Sequence, residues 1–311
     1  MKILVLGGNG FIGKNMVTAL RRSYNTVISI SLRTGIDLRD YLLTRKIFSE
    51  ITPDYVINCA AHVGSVHYIS TYAADVLHDN MQMILNIYKA IKEVSPKSKV
   101  INPLSNCSYP GESEIQYESD WWKGEVHSSV YSFGNAKRFI YVVAFCYLGQ
   151  YGTKTLNFLV PNTFGPGDHT DPNKTHALNG MIIRMIKAQD EGEKEFEIWG
   201  TGNPIREWAY IDDVIEILKR ALLIQEEITY PINIAQKKGY SIKESAEIIA
   251  NLIGFKGNLT FNTKYQDGAP CKVLDNGRFQ QLFPEYRFVD HEAAIKKTIE
   301  YYKYLLKGDL K

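Results

Sequence analysis

Short β-rich runs alternate with longer amphipathic segments through the first half of the chain. The apolar runs predict buried strands, and the segments with helical periodicity predict helices between them. The predicted strands are Lys2–Leu6, Thr26–Ser31, Tyr55–Asn58, Lys99–Asn102 and Thr155–Val160. The predicted helices are Phe11–Arg22, Asp40–Ile51, Ala74–Val94 and Ser129–Tyr151. This alternation predicts an α/β fold with a doubly wound parallel sheet.

The second half of the chain has a shorter and less regular pattern. Gly and Pro residues interrupt it at 165–167 and 200–204, which is typical of loops and turns. We expect a smaller C-terminal α/β substrate-binding lobe there. The last two predicted helices of the first half are long enough to pair with those of a second copy, so a homodimer with a four-helix bundle is expected.

Composition argues against several classes of protein. The 311 residues carry a net charge of +2, with Lys and Arg scattered along the chain, so neither nucleic acid nor a membrane is an expected partner. No apolar stretch reaches the roughly 18 to 20 residues of a membrane helix. The 4 cysteines are widely spaced without a Cys-x-x-Cys pair. This spacing argues against a metal site or a disulfide framework and favours a reducing cytoplasm.

A glycine-rich turn follows the first predicted strand directly. Gly7, Gly10 and Gly13 have Gly-x-x-Gly-x-x-Gly spacing, and Phe11 and Ile12 open the next helix. Such a turn lets a pyrophosphate approach the helix N-terminus, which predicts a Rossmann-type dinucleotide site. The spacing resembles that of the extended short-chain dehydrogenase/reductases.

Other segments bear on the cofactor. Ala60 and Ala61 after the third strand, and Asp37 and Leu38 before it, resemble cofactor contacts of that superfamily. An acid at the end of the second strand favours NAD, whereas an Arg favours the 2′-phosphate of NADP. Arg33 stands there without an acid. NADP is therefore favoured, and NAD remains open.

The predicted helix that begins near Ser129 resembles a reductase active-site helix without its catalytic hydroxyl. Short-chain dehydrogenases carry Tyr-x-x-x-Lys, in which the Tyr exchanges the carbonyl proton and the Lys lowers its pKa. Counting back from Lys137 reaches Phe133. The other register makes Tyr131 the donor, with Asn135 in the Lys position. Because Tyr131 and Phe133 point about 200° apart on a helix, one cannot replace the other, and we favour the Phe133 register.

Four motifs resemble a narrower group. They are 60–64 (Ala-Ala-His-Val-Gly), 105–110 (Ser-Asn-Cys-Ser-Tyr-Pro), 162–168 (Asn-Thr-Phe-Gly-Pro-Gly-Asp) and 199–207 (Trp-Gly-Thr-Gly-Asn-Pro-Ile-Arg-Glu). In this order they resemble the GDP-L-fucose synthases of the NAD-dependent epimerase/dehydratase family. That resemblance implies an NADP-dependent 3,5-epimerase and 4-reductase acting on GDP-4-keto-6-deoxymannose.

The resemblance also implies roles for individual residues. Ser105 would hydrogen-bond the C4 oxygen of the sugar, and Lys137 would hold the nicotinamide ribose. Cys107 would be the epimerisation base and His176 its partner acid, because epimerisation beside a ketone needs a base on one face and an acid on the other. The expected substrate contacts are Asn162 at the sugar, Arg184, Arg206 and Lys272 at the diphosphate, and Trp199 beside the nucleotide or supporting its loop.

Three positions depart from the family pattern. Phe133 replaces a Tyr, Asn106 replaces a small hydroxyl residue, and Asn9 replaces a basic residue. Loss of a general acid typically slows a reaction by about 10²- to 10⁴-fold. We therefore expect ligand binding to survive and hydride transfer to be slowed.

Several functions remain open beside the epimerase/reductase. One is a non-reductive nucleotide-sugar epimerase that uses Cys107 and His176. Others are a 4-dehydrogenase or 4-epimerase with tightly bound NAD and a dinucleotide-sensing scaffold without catalysis. The expected dinucleotide-binding domain spans 1–161 with a return contribution near 207–235. The nucleotide-sugar-binding lobe is expected to span 162–206 and 236–311.

Overall fold

The computed structural model describes residues 1–172, 174–225, 228 and 230–308. The expected domain ranges also contain residues 173, 226, 227, 229 and 309–311, which lie outside the described residues. The strands are β1 Lys2–Leu6, β2 Thr26–Ile30, β3 Tyr55–Asn58, β4 Lys99–Ser105, β5 Thr155–Val160, β6 Asn162–Phe164, β7 Glu195–Trp199, β8 Ile205–Arg206, β9 Trp208–Tyr210, β10 Ile232–Asn233, β11 Tyr240–Ser241, β12 Asn258–Asn262 and β13 Cys271–Lys272. The helices are α1 Phe11–Arg21, α2 Tyr41–Ile51, α3 Val66–Thr71, α4 Ala73–Val94, α5 Tyr131–Tyr151, α6 Ala177–Asp190, α7 Ile211–Arg220, α8 Ile242–Ile253, α9 Gly277–Leu282 and α10 His291–Leu306.

The central sheet of the described residues is parallel, with strand order β10-β5-β4-β3-β1-β2. It confirms the predicted doubly wound α/β fold. The strand order reverses between β1 and β3, the point at which such sheets bind ligands beyond their carboxyl ends. β4 continues to Ser105, beyond the predicted end at Asn102, because residues 103–105 pair with β5.

The two faces of this sheet pack against different helices. Ile3 and Val5 of β1 contribute to a core cluster that includes apolar residues of α1, α6 and α7. Leu4 and Leu6 point to the other face and join residues of α2, α4 and α5. Because side chains alternate along a strand, a strand buried on both faces is apolar at every position.

The second half of the chain forms smaller sheets beside the central one. In the described part of the chain, β8 lies between β11 and β13, β7 pairs with β12, and β6 pairs with β9. β10 returns to the edge of the central sheet beside β5. None of the described helices has the length and apolar character needed to cross a membrane.

The start of α1 packs very closely on the end of β1. A Cβ on Gly13 would lie 2.2 Å from the Gly7 carbonyl oxygen and 2.9 Å from the Gly8 Cα. Both neighbours are backbone atoms, so they cannot move aside as a flexible side chain can. The third glycine of the turn is therefore required by the contact between helix and strand.

We expect Gly13→Ala to lower the free energy of unfolding by about 1–3 kcal/mol, the usual cost of overpacking, and to weaken dinucleotide binding. Gly149→Ala on α5 is the matched control, because nothing lies within 4 Å of its added Cβ. This control should gain about 0.5–1 kcal/mol, because alanine is the better helix former. Urea unfolding and dinucleotide fluorescence titration measure both effects. Equal stability of the two variants would contradict the packing argument.

Candidate active site

The turn between β1 and α1 is shaped to receive a phosphate group. Gly7 has a φ of +70°, and a Cβ there would lie 2.7 Å from the backbone of Ala60. α1 begins at Phe11 with Gly10 as its N-cap, and no described side chain caps it. Its first turn holds no acidic residue. Free N–H groups at such a helix start bind the pyrophosphate of a dinucleotide, so these residues fit the predicted cofactor.

Arg33 follows the end of β2, and two further basic side chains, Lys14 and His169, lie near it. Burial and the Arg33 charge lower the pKa of Lys14, while Asp168 opposes them. Burial likewise lowers the pKa of His169, with Arg33 and Lys14 adding to the effect and Asp168 opposing it. Arg33, Lys14 and His169 therefore lie within electrostatic reach of one another. Such a group fits the extra phosphate of NADP.

Asp37 is already paired on the adenine side of the predicted cofactor site. Its carboxylate accepts from the Arg39 guanidinium at 2.7 Å, and that hydrogen bond is the first cause of the lowered pKa of Asp37. Leu38 beside it is buried. A cofactor contact by Asp37 and Leu38 stays a prediction.

Ser105, Lys137 and Phe133 meet at the end of β4. The Ser105 hydroxyl accepts from the Cys107 backbone N–H at 3.2 Å. The buried Lys137 ammonium donates to the Pro103 carbonyl at 3.4 Å and lies 5.3 Å from the centre of the Phe133 ring. Burial lowers the pKa of Lys137 to about 8. Phe133 is buried beside Lys137, whereas Tyr131 is 55% exposed, which supports the Phe133 register.

Cys107 lies within a group of cations. The Lys272 Nζ donates to its Sγ at 3.5 Å. Lys272 and Arg206 pair in register on the neighbouring strands β13 and β8. Burial alone would raise the pKa of the Cys107 thiol, but the Lys272 ammonium, hydrogen bonds from Ser105 and Lys272, and the Arg206 charge hold it below its ordinary value. The thiol is therefore poised to ionise. Lys272 thus contacts this thiol, and its expected role at the diphosphate stays a prediction.

His127 is a candidate site residue that sequence reasoning missed. Burial and then the charges of Lys272 and Arg206 lower the pKa of His127, so its imidazole is held neutral near the cations that surround Cys107. Its Nδ1 is hydrogen-bonded to the Ser129 hydroxyl at 2.8 Å. No motif indicated His127, because its position beside Lys272 arises only from folding.

His176 occupies a different part of the site. It is the N-cap residue of α6, and its ring centroid lies 5.3 Å from that of Phe11. Its Nδ1 and backbone N–H contact the Asp168 Oδ2 at 3.0 and 2.8 Å. Burial would raise the pKa of Asp168, but its hydrogen bonds to His176 and Asn179 and the His176 charge bring it to about 2. Among the described residues, no hydrogen bond joins His176 to Cys107. Their shared role in epimerisation stays a prediction.

Aromatic and cationic side chains meet near the start of the 199–207 loop. Trp199 and Tyr265 stack with ring centroids 5.0 Å apart and an interplanar angle of 23°. The Arg184 guanidinium lies 4.8 Å from the centre of the Trp199 ring. Tyr265 was absent from the sequence prediction, because no local pattern links it to Trp199. The half-exposed Trp199 and this stacked partner can flank a nucleotide base.

The other expected substrate residues make local contacts. The Asn162 side chain donates to the Glu207 carbonyl at 3.5 Å, and Arg206 donates to the Ile205 carbonyl at 2.8 Å. Within the described ranges, no group of three or more His, Cys, Asp or Glu residues could hold a metal ion.

Comparisons with known proteins cover nearly the whole chain. The model of the NAD dependent epimerase/dehydratase family matches residues 3–235. The probable GDP-L-fucose synthase of Drosophila melanogaster is 28% identical over 311 residues, which are 97% of this chain and 97% of that protein.

Solved structures with a similar fold also match nearly the whole chain. The GDP-L-fucose synthetase of Naegleria fowleri bound to NADP has a TM-score of 0.85 at 27% identity, covering 99% of this chain and 95% of that one. A GDP-D-glycero-L-gluco-heptose synthase of Campylobacter jejuni, crystallised in the presence of NADPH, has a TM-score of 0.86 at 25% identity, covering 97% and 98%. These matches confirm the predicted resemblance, the fold class and the dependence on NADP or NAD.

We expect Lys272→Gln to slow alkylation of Cys107 by iodoacetamide several-fold at neutral pH. Only the thiolate reacts, and loss of the ammonium raises the pKa of the Cys107 thiol, so the rise in rate with pH moves to higher pH. Mass spectrometry of the cysteine-containing peptides measures each site separately. The exposed Cys146 on α5 is the internal control and should react equally in both proteins. An unchanged pH profile at Cys107 would contradict the assigned role of Lys272.

Proposed function

Since the chain belongs to the NAD dependent epimerase/dehydratase family and is an NAD(P)-dependent enzyme of the extended short-chain dehydrogenase type, we propose that it acts on a GDP-linked 4-keto-6-deoxy sugar. It epimerises this sugar at C3 and C5 and then reduces it at C4. The observation that carries the proposal is the Cys107 thiol with Lys272 at 3.5 Å. Ser105 and Lys137 stand beside this thiol as candidate contacts to the C4 oxygen.

Cys107 is the base for epimerisation. The ketone at C4 makes the protons at C3 and C5 acidic, and a thiolate removes one of them. The negative charge then develops on O4, where the Ser105 hydroxyl and the Lys137 ammonium stabilise it by hydrogen bonding. A proton returned to the other face of the sugar completes the inversion. We assign that step to His176, whose ring is oriented by Asp168.

The GDP moiety is assigned to the aromatic and cationic residues of the second half. Trp199 and Tyr265 flank the base, while Arg184 and Arg206 face the diphosphate. Arg can bind two phosphate oxygens at once through its planar guanidinium. Burial lowers the pKa of Arg184 and Arg206, and a bound anion would offset the cost of keeping these charges partly out of water. The names of the relatives support GDP as the nucleotide.

NADPH is the assigned cofactor for the reductive step. It would supply a hydride when bound, and the turn at Gly7 and Gly10 would hold its pyrophosphate. Arg33, Lys14 and His169 would bind its 2′-phosphate. Lys137 would hold the nicotinamide ribose, the role that the resemblance implies. Phe133 cannot give the C4 oxygen a proton, so the reductive step is slower than with a Tyr at this position.

A non-reductive epimerase is the second candidate, and Phe133 is the observation that favours it. The buried ring keeps the packing that a Tyr would have without the hydroxyl. Such a protein would invert C3 and C5 and release the ketone. A separate reductase would then have to consume the product.

We also propose that the protein is a homodimer in the cytoplasm. Leu85 on α4, and Val142 and Phe145 on α5, expose 41%, 39% and 56% of their surface. A bundle of α4 and α5 with those of a second copy would bury them. The four cysteines are free, which fits a reducing compartment.

Deuterium exchange at C3 and C5 of GDP-4-keto-6-deoxymannose, followed by NMR, tests the epimerase. Cys107→Ser should slow exchange at least about 10²-fold, the scale of general base catalysis, because a hydroxyl is far harder to ionise than this thiol. Cys146→Ser is the matched control and should keep the wild-type rate. Equal exchange in the two variants would rule out Cys107 as the base.

NADPH oxidation with the same substrate separates the two candidates. The epimerase/reductase should oxidise NADPH at a measurable rate, whereas exchange without oxidation indicates the non-reductive epimerase. In the latter case Phe133→Tyr should start NADPH oxidation, because it returns a general acid to the site beside Lys137. A protein with neither exchange nor oxidation contradicts both candidates.

A further inference from the structure

A side-chain network with an unassigned role lies between β3 and α4. Asp79 contacts the His62 Nδ1 at 2.8 Å, and the His62 Nε2 contacts the Tyr68 hydroxyl at 2.9 Å. Arg39 pairs with the same Asp79 oxygen at 2.9 Å. A carboxylate, an imidazole and a phenol in this order can move a proton.

Tyr68 borders the same patch as the predicted active site. Phe133 belongs to a buried cluster with Ile69, Val76, Val126 and Val130, and the partly exposed residues that pack against this cluster are Ala61, Tyr68 and Cys107. The Ser132 hydroxyl next to Phe133 donates to the Ile69 carbonyl at 3.1 Å. α3, which carries Tyr68, is therefore hydrogen-bonded to the first turn of α5.

The imidazole of His62 is not needed to hold its own loop. Asn80 accepts from the His62 backbone N–H at 3.1 Å and donates to its carbonyl at 2.8 Å. Ser65 caps α3 through the Tyr68 N–H. Hydrogen bonds between the backbone and the side chains of Asn80 and Ser65 therefore already hold this segment in place. The hydrogen bonds of the His62 ring are additional to them and reach the Tyr68 hydroxyl.

The contacts also define the direction of proton transfer. A carboxylate only accepts hydrogen bonds, so the His62 Nδ1 carries a hydrogen and its Nε2 faces the phenol. When His62 is neutral, Tyr68 donates to Nε2, and when it is protonated, Nε2–H donates to Tyr68.

We propose, on the basis of the reductive function above, that Tyr68 supplies the proton that Phe133 cannot. A bound reduced nicotinamide would supply the hydride to sugar C4, while the O–H bond of Tyr68 breaks and its proton goes to O4, forming the alcohol. The Tyr68 oxygen then takes the proton from Nε2 of a His62 ring that carries hydrogens on both nitrogens, and the ring, left neutral, takes a proton from solvent at Nε2. His62 and Asp79 are positioning residues, because they act through Tyr68.

The test compares Tyr68→Phe with Tyr72→Phe. Tyr72 is the matched control because its ring lies 4.8 Å from that of Tyr68 and its side chain is 48% exposed. Tyr68→Phe should lower kcat for NADPH oxidation by about 10²-fold or more, and should slow C3/C5 exchange far less. Tyr72→Phe should change neither rate by more than about twofold. Thermal melting and NADPH titration by fluorescence check that each variant folds and binds the cofactor.

Two further variants distinguish proton donation from a structural role. His62→Gln should lower kcat for NADPH oxidation with little change in KM, because it disturbs proton supply and leaves substrate binding intact. Phe133→Tyr in the Tyr68→Phe background should restore oxidation, because it returns a hydroxyl to the site beside Lys137. A merely structural Tyr68 would not be rescued in this way.

These experiments distinguish a failure of the Tyr68 assignment from a failure of the proposed function. Wild-type oxidation that survives in Tyr68→Phe overturns the role of Tyr68 and leaves the reductase intact. Exchange without any wild-type oxidation also overturns it, while leaving the epimerase. A wild-type protein that shows neither reaction overturns the proposed function and the Tyr68 assignment together.

Discussion

The close approach of backbone segments at the ends of β1 and β3 constrains the rest of the molecule. Gly7 faces Ala60, and Gly13 faces Gly7, with no space for a Cβ at either glycine. This contact fixes where α1 starts and where the chain leaves β3 toward His62. Parallel strands place their carboxyl ends on one edge, so Ser105 at the end of β4 is brought to the same edge. The predicted cofactor-binding and catalytic residues meet there for that reason.

Three cationic side chains surround the Cys107 thiol. Lys272 contacts Cys107 directly, while Arg206 and the buried Lys137 act on it through their charges. Each cation comes from a different element, and their mutual repulsion has to be offset in the folded protein. An ionised thiol offsets part of it, and an anionic nucleotide would offset more. The cations that lower the pKa of Cys107 therefore also suit the proposed substrate, which carries a diphosphate.

Phe133 shows how packing and chemistry can be separated at one position. Its ring fills a buried cluster that includes Val126 and Val130, so α5, the predicted active-site helix, keeps its place although a Tyr hydroxyl is absent. The charged partner of the expected Tyr, Lys137, remains beside the ring. A reaction that needs a proton at this point must obtain it from a neighbouring element, and α3 with Tyr68 packs against the same cluster.

The amino-acid sequence by itself determined the alternation of strands and helices, the glycine turn and the position of Phe133, because these depend on local periodicity and on spacing within one element. It also indicated Cys107 through a local motif. Only the tertiary structure decided that Lys272, 165 residues away along the chain, contacts that thiol, and that His62 joins Asp79 to Tyr68. Such contacts depend on how strands and loops pack in space. The hydrophobic periodicity along the chain carries no information about that packing.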